Sequence, residues 1–129
     1  VLIANGTGIA PYLGMINEHK KVNFHLLWGG RTQDSMQLYE TYLQSKNIIT
    51  LATAFSRVES SSKKYVQHLL MDKAETIANV LQNKQSILIC GSLAMQKEVM
   101  LLLNQISEHY LNLPLREFQE KSQIKTDCY

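Results

Sequence analysis

The feature that most constrains the fold is a short apolar run that leads directly into a glycine-rich turn. Residues 1–4 are apolar, Gly6, Thr7 and Gly8 follow, and Pro11 precedes an amphipathic stretch. Glycines have no Cβ, so an anion can approach the main chain there, and the N–H groups of the next helix attract it. The pattern therefore predicts a strand, a phosphate-binding turn and a helix. A plain strand-to-helix turn is the alternative, because the spacing is not G-x-G-x-x-G.

Apolar runs rich in strand formers alternate with amphipathic stretches along the rest of the chain. Further strands are predicted over residues 22–28, 48–55 and 86–90, and an extended tail over residues 123–129. Helical spacing predicts helices over residues 11–19, 65–70, 72–81 and 93–110, one capped by Asp34 or Ser35, and one opened by Pro114. This order predicts an α/β fold, a Rossmann-like three-layer sandwich. About five parallel strands form its sheet, with helices on both faces.

Small or polar residues follow four of the predicted strands, where a parallel sheet binds its ligands. The positions are Gly6 to Gly8, Gly29-Gly30, Ser56-Arg57 and Cys90-Gly91. Because the carboxyl ends of parallel strands meet at one edge, these residues are expected to form one cleft. The sequence therefore predicts a nucleotide-type ligand.

A cluster of polar side chains after the third strand suits a phosphorylated adenosine. An Arg fork, a Ser hydroxyl and a mobile Lys charge can bind a phosphate, and a Tyr ring can stack on a purine. The cluster consists of Ser56, Arg57, Lys63, Tyr65 and Gln67. The alternative is a solvated Ser/Lys-rich loop over residues 56–64.

The composition and the spacing of the residues argue against a metal site, nucleic-acid binding and a membrane span. The four histidines and two cysteines show no metal-ligand spacing, so no metal site is expected. A net charge of +2 with scattered lysines argues against nucleic acid, and no apolar run reaches membrane-spanning length. Two distant cysteines indicate a reducing compartment, hence the cytoplasm. Cys90 ends a buried strand and is either a small core residue or a polarisable group at the cleft.

Five motifs in order resemble the NADP-binding lobe of the ferredoxin–NADP reductase superfamily, most closely its diflavin reductase branch. That branch includes cytochrome P450 reductase and the sulfite reductase flavoprotein subunit. The motifs are GTGIAP at residues 6–11, GGRTQD at 29–34, AFSR at 54–57, KKYVQ at 63–67 and ICG at 89–91. The tail Asp127-Cys128-Tyr129 occupies the place of the D-x-aromatic end of the family.

The resemblance implies roles for individual residues along an NADP(H) molecule. Gly6, Thr7 and Gly8 would hold the pyrophosphate and nicotinamide end, and Arg31 would lie near the phosphates. The 2′-phosphate pocket would consist of Ser56, Arg57, Lys63 and Gln67, with Tyr65 against the adenine. Cys90 and Asp127 would flank the nicotinamide, and Tyr129 would stack over the flavin and move before the nicotinamide docks.

The resemblance also implies a larger protein. Residues 1–129 would be its C-terminal NADP(H)-binding domain, without turnover alone, and an upstream domain absent from this chain would bind FAD. Electrons would pass to a haem, flavin or iron–sulfur acceptor, and membrane attachment is not expected in this domain but stays open for a segment outside it. Three residues depart from the family pattern, namely Asn5, Ser92 and Tyr129, which replace a small residue, an Asp and a Trp. The first two motivate an alternative, an electron-transfer interaction module with a decayed nucleotide pocket. An unrelated flavodoxin-type phosphate-binding domain leaves the cluster around Arg57 unexplained.

Overall fold

Five parallel strands form a single sheet in the computed structural model, which describes residues 1–58 and 62–129. Residues 59–61, part of the predicted 56–64 loop, lie outside the described residues. The strands are β1 (Leu2–Asn5), β2 (Phe24–Gly30), β3 (Ile48–Phe55), β4 (Ile87–Gly91) and β5 (Ile124–Cys128). Their order across the sheet is β3-β2-β1-β4-β5, and every neighbouring pair is parallel. From β1 the chain adds β2 and β3 on one side and then crosses over to add β4 and β5 on the other side of β1. The strand order therefore reverses between β1 and β4, which is the switch point of the sheet.

Six α-helices and two 3-10 helices connect the strands in the described residues. The α-helices are α1 (Ala10–Glu18), α2 (Glu40–Leu43), α3 (Val66–Asp72), α4 (Ala74–Gln82), α5 (Leu93–Leu111) and α6 (Leu115–Glu120). The 3-10 helices span Gly6–Ile9 and Gln33–Tyr39. None of these helices is long and apolar enough to cross a membrane.

Helices cover both faces of the sheet and enclose two apolar cores. On one face, α3, α4, α5 and α6 pack residues such as Ile77 and Leu103 against Ile89. On the other face, α1 and α2 pack residues such as Ile16 against Trp28. These layers confirm the predicted three-layer α/β sandwich with a five-stranded parallel sheet.

The central strands are continuous apolar runs because both of their faces are covered. Ile3 and Ala4 of β1 are fully buried. The expectation that both faces of a strand are covered is wrong for β3, which lies at the edge of the sheet and has no strand neighbour beyond it. Its Ile49 and Leu51 are 54% and 40% exposed.

The helix predicted after Asp34 or Ser35 is largely a 3-10 segment with a different cap. Thr32 is the N-cap, and its hydroxyl lies 3.2 Å from the Ser35 hydroxyl in a reciprocal capping box. Leu38 is exposed, and Leu43 alone is buried among the apolar residues at helical spacing in this segment, which are Met36, Leu38, Tyr39, Tyr42 and Leu43. The tight turn brings this segment over the end of β2, where it forms a wall rather than a core helix.

Candidate nucleotide-binding site

A cleft of about 560 Å³ lies across the carboxyl end of the sheet. Its walls come from the residues that follow β1, β2, β3, β4 and β5, together with the start of α3. The cleft therefore straddles the point between β1 and β4 where the strand order reverses, the usual ligand site of an open parallel sheet. Seven of the predicted site residues line it: Gly6, Thr7, Arg31, Ser56, Tyr65, Gln67 and Tyr129.

The glycine turn after β1 forms the floor of the cleft. Gly6 has a φ of +54°, a left-handed conformation that favours glycine, and its carbonyl oxygen accepts a 2.9 Å hydrogen bond from Trp28 Nε1. Gly8 is buried behind the floor, where an added Cβ would lie 2.5 Å from the Cys90 carbonyl oxygen. Gly6 thus supplies the open surface, and Gly8 permits the close packing of the turn against β4.

The basic end of the cleft is held together by backbone hydrogen bonds. They continue the parallel pairing of β2 and β3 beyond the ends of these strands. The Ser56 N–H donates to the Gly30 carbonyl at 3.1 Å, and the Arg57 N–H donates to the Arg31 carbonyl at 2.7 Å. The Lys64 N–H donates to the Phe55 carbonyl at 3.2 Å, which brings the chain at Lys63 back beside Ser56. Arg57 and Lys63 are exposed next to the cleft rather than part of its lining. The structure therefore brings the predicted phosphate-binding cluster together at one end.

The start of α3 presents an aromatic ring that a neighbouring imidazole supports. The Tyr65 N–H donates to His68 Nδ1 at 2.8 Å, and the two rings lie 5.8 Å apart with 31° between their planes. The Gln67 side-chain amide donates to the Glu98 carboxylate on α5. Tyr65 is therefore held as a flat surface at the cleft, while a carboxylate already accepts one amide hydrogen of Gln67.

Cys90 and Asp127 lie together but outside the cleft lining. They are register neighbours on β4 and β5. Cys90 is buried in the core under α1, which also contains Tyr12. Burial raises the pKa of the Cys90 thiol, and the negative charge of Asp127 raises it further. Both effects favour the neutral thiol over the thiolate, which is the form that acts as a nucleophile.

Tyr129 follows β5 and reaches back over the cleft. Its N–H donates to the Gly91 carbonyl at 2.9 Å, and its carbonyl accepts from the Leu93 N–H at 3.2 Å. Its ring is 70% exposed, and its hydroxyl lies 3.2 Å from Thr7 Oγ1. The backbone of Tyr129 is thus anchored at the start of α5, while its side chain rests against the glycine turn.

Asn5 and Ser92, two of the three residues that depart from the family pattern, contact each other at the ends of β1 and β4. The Ser92 N–H donates to Asn5 Oδ1 at 3.0 Å, and Asn5 Nδ2 donates to Ser92 Oγ at 3.3 Å. Both residues line the cleft. This pair was not predictable from the sequence, because the two positions are 87 residues apart.

Trp28 lines the cleft and His68 supports Tyr65, and neither role was predicted from the sequence. Trp28 lies in the core with 1% of its surface exposed, and its N–H also supports the glycine turn. A buried indole N–H needs a hydrogen-bond acceptor, so a Trp directly before Gly29 is the sequence feature that could have indicated a contact with the cleft. His68 lies three residues after Tyr65, the spacing of a helix capping residue.

Within residues 1–58 and 62–129, no group of three His, Cys, Asp or Glu side chains could hold a metal ion. The cleft offers a main-chain turn, hydroxyl groups, Arg31 and aromatic rings, with Arg57 exposed beside it. These groups suit an extended, phosphorylated organic ligand.

A doubly covered parallel sheet with such a cleft at its switch point defines the class of α/β nucleotide-binding domains. The chain belongs to the oxidoreductase NAD-binding domain family, whose model matches residues 2–100. This match confirms the resemblance described above.

Known reductases are similar to the chain over much of its length. It is 35% identical to NADPH–cytochrome P450 reductase of Aspergillus oryzae, over 93% of this chain and 19% of that protein. It is 35% identical to bifunctional cytochrome P450/NADPH–P450 reductase of Bacillus cereus, over 70% of this chain and 10% of that protein. NADPH oxidoreductase A of Dictyostelium discoideum is 38% identical over 70% of this chain and 15% of that protein. The chain thus spans less than a fifth of the length of these relatives.

Proposed function

We propose that residues 1–129 are the NADPH-binding domain of a longer flavoprotein reductase. In the whole protein, hydride would pass from NADPH to FAD, and electrons would pass on to a haem, flavin or iron–sulfur acceptor. The observation that carries this proposal is the cleft at the switch point, with Arg31 and Ser56 at one end and a glycine turn in its middle. The names of the similar reductases, which specify NADPH, support the choice of nucleotide.

The basic end of the cleft suits the 2′-phosphate that distinguishes NADPH from NADH. Arg57 would supply a planar fork of donors, Ser56 a hydroxyl group and Lys63 a point charge. The backbone bonds from Ser56 to Gly30 and from Arg57 to Arg31 hold this segment against the end of β2. Tyr65, supported by His68, would stack on the adenine, and Gln67 would add a polar contact.

The middle of the cleft suits the pyrophosphate. Gly6 has open space where a Cβ would lie, so an anion can approach its main chain. Thr7 adds a hydroxyl group at the same turn, and Arg31 adds positive charge from the opposite wall. Gly8 would contribute by letting the turn lie directly against β4.

The remaining end of the cleft would hold the nicotinamide. Residues at this end would hold the ring of NADPH, whose hydride would pass to the FAD of a neighbouring domain. Cys90 and Asp127 would flank the nicotinamide from positions on β4 and β5 beside the cleft lining, and Tyr129 would cover the flavin until the nicotinamide docks. In this role the residues of the chain orient the ring and exclude water.

The partners of the domain would be the FAD-binding domain of the same protein and a redox acceptor. The thiols of Cys90 and Cys128 are both free, which suits a reducing compartment and supports a cytoplasmic location for this domain.

Calorimetric titration of the chain with NADP+, NAD+ and 2′-phospho-AMP tests this proposal. We expect NADP+ and 2′-phospho-AMP to bind and NAD+ to bind much more weakly, because only the first two carry the 2′-phosphate. Equal binding of NADP+ and NAD+ would overturn the NADPH assignment. No binding of any of the three would favour an interaction module with a decayed pocket.

A second assay tests whether turnover requires a separate flavin domain. We expect the chain alone to show no NADPH oxidation, because it supplies no hydride acceptor. NADPH oxidation by the chain without an added flavin domain would contradict this.

A further inference from the structure

The contact between Asn5 and Ser92 joins the two sides of the switch point. Asn5 ends β1, and Ser92 follows β4 and caps α5. Two hydrogen bonds link them, from the Ser92 N–H to Asn5 Oδ1 and from Asn5 Nδ2 to Ser92 Oγ. Gly91 lies directly against this contact, since an added Cβ would lie 1.9 Å from Asn5 Oδ1. No larger residue at position 91 would leave room for the pair.

The hydrogen bonds of the pair decide what it can offer to a ligand. The Asn5 amide orientation follows from the Ser92 N–H, which needs the side-chain oxygen as its acceptor. Ser92 Oγ accepts from Asn5 Nδ2 and also from the Met95 N–H at 3.2 Å. Both acceptor positions of this oxygen are then filled, so its hydroxyl hydrogen remains as a donor. One Nδ2 hydrogen of Asn5 remains as well, so the pair can offer two donors side by side.

The position of the pair along the cleft indicates which part of a dinucleotide it meets. Arg31 and Ser56 follow β2 and β3, whereas Ser92 and Tyr129 follow β4 and β5, on the other side of β1. A ligand with its 2′-phosphate at the basic end and its pyrophosphate on the glycine turn has its nicotinamide near Ser92. The carboxamide oxygen of that ring is an uncharged acceptor that two adjacent donors suit.

We propose that Asn5 and Ser92 form a donor pair that binds the carboxamide oxygen of the nicotinamide and so sets the orientation of the ring. This inference rests on the proposed function, because it requires a dinucleotide in the cleft. Asn5 and Ser92 are thus nucleotide-binding residues, and their departure from the family pattern is a change in how the ring is recognised.

Titration of the chain with four ligands tests the pair. The ligands are NADP+, its 3-acetylpyridine analogue, its thionicotinamide analogue and 2′-phospho-ADP-ribose. The acetyl analogue keeps the carbonyl oxygen but lacks the amide nitrogen, so we expect it to bind within about twofold of NADP+. The thio analogue replaces the oxygen with a weak sulfur acceptor, so we expect it to bind about fivefold more weakly. Equal binding of the oxygen and sulfur ligands would overturn the proposal.

Two substitutions at position 92 separate ligand recognition from the capping of α5. Ser92→Asp keeps an acceptor for the Met95 N–H but has no hydroxyl donor, so the preference for oxygen over sulfur is expected to fall, with only the Asn5 amide left as a donor. Ser92→Thr keeps both functions and should retain the preference. The ratio of the two affinities is the readout, because a purely structural effect would change both ligands alike. Loss of the preference in Ser92→Thr, or an undiminished preference in Ser92→Asp, would overturn the proposal.

The ligand without nicotinamide distinguishes this proposal from two other outcomes. Asn5→Ala should weaken NADP+ binding about fivefold and leave 2′-phospho-ADP-ribose unchanged. If Asn5→Ala weakens both ligands equally, the pair acts on the pyrophosphate and the assignment to the nicotinamide is wrong. If the unsubstituted chain binds none of the four ligands, the proposed function fails, and this inference fails with it.

Discussion

The indole N–H of Trp28 donates a 2.9 Å hydrogen bond to the carbonyl oxygen of Gly6. This bond joins the end of β2 to the glycine turn after β1. The same indole packs edge-on against Tyr39 at 5.7 Å and Phe55 at 6.3 Å between ring centroids. Trp28 therefore connects the floor of the cleft with the wall after β2 and with the end of β3.

Trp28→Phe should test this connection while keeping an aromatic ring in the core. We expect the free energy of unfolding to fall by about 1–3 kcal/mol, because the variant loses the hydrogen bond and part of the packing. NADP+ affinity should fall as well, since the glycine turn loses its support. Urea unfolding and calorimetry would measure both effects. Phe55→Leu is the control, because it disturbs the same aromatic cluster without removing the bond; an equal loss of affinity there would contradict the explanation.

Gly8→Ala should destabilise the fold, whereas Gly14→Ala should not. A Cβ at Gly8 would lie 2.5 Å from the Cys90 carbonyl oxygen, so backbone must move, at a cost of about 1–3 kcal/mol. Gly14 lies on the exposed side of α1 with no atom within 4 Å of an added Cβ, and alanine there should stabilise the helix by up to about 1 kcal/mol. Thermal unfolding of the two variants would measure the difference. Equal stability of the two would show that the turn is not tightly packed.

Arg57→Ala should reduce the affinity for NADP+ by about 10- to 100-fold, the effect of losing charge-assisted hydrogen bonds. The affinity for NAD+ should not change, because NAD+ lacks the 2′-phosphate. Calorimetry with both nucleotides measures the selectivity. Arg116→Ala is the matched control, since Arg116 lies on α6 and pairs with Glu120 away from the cleft. A similar loss for NAD+ would place Arg57 elsewhere along the nucleotide.

Tyr129→Phe should strengthen NADP+ binding by about two- to fivefold. The variant removes the contact between the Tyr129 hydroxyl and Thr7, which a nucleotide on the glycine turn would have to break. Calorimetric titration would measure this gain. Tyr110→Phe is the control on the exposed part of α5. Weaker binding by Tyr129→Phe would instead assign the hydroxyl a direct contact with the nucleotide.

Alkaline pH should destabilise the fold partly through Cys90. Burial raises the pKa of this thiol above its ordinary value of 9.0, so the unfolded chain loses the proton first as pH rises. The contribution of the protonated thiol is complete below pH 9 and is lost as pH rises through the folded pKa. The free energy of unfolding should therefore fall above pH 9, and less steeply in Cys90→Ala. Urea unfolding between neutral and alkaline pH would measure the slopes, and identical slopes would contradict this origin.

The local part of the site was predictable because it depends on short segments. The glycine turn follows from Gly6 and Gly8 after an apolar run, and Ser56 and Tyr65 were found from residue type and spacing. The 3-10 segment after Thr32 was not predictable, since its apolar residues have helical spacing but the capping box closes a tighter turn. The exposure of β3 was missed because strand order, rather than composition, decides which strand lies at the edge.

The succession of strands and helices, and the polar residues that follow each strand, can be predicted from local sequence. These features depend on hydrophobic periodicity and on glycine, which act within a few residues. The tertiary structure alone decided which strand ends become neighbours. The order β3-β2-β1-β4-β5 places Asn5 beside Ser92, and the packing of β2 places Trp28 under Gly6. Such contacts join distant segments, and their geometry exists only after the sheet has assembled.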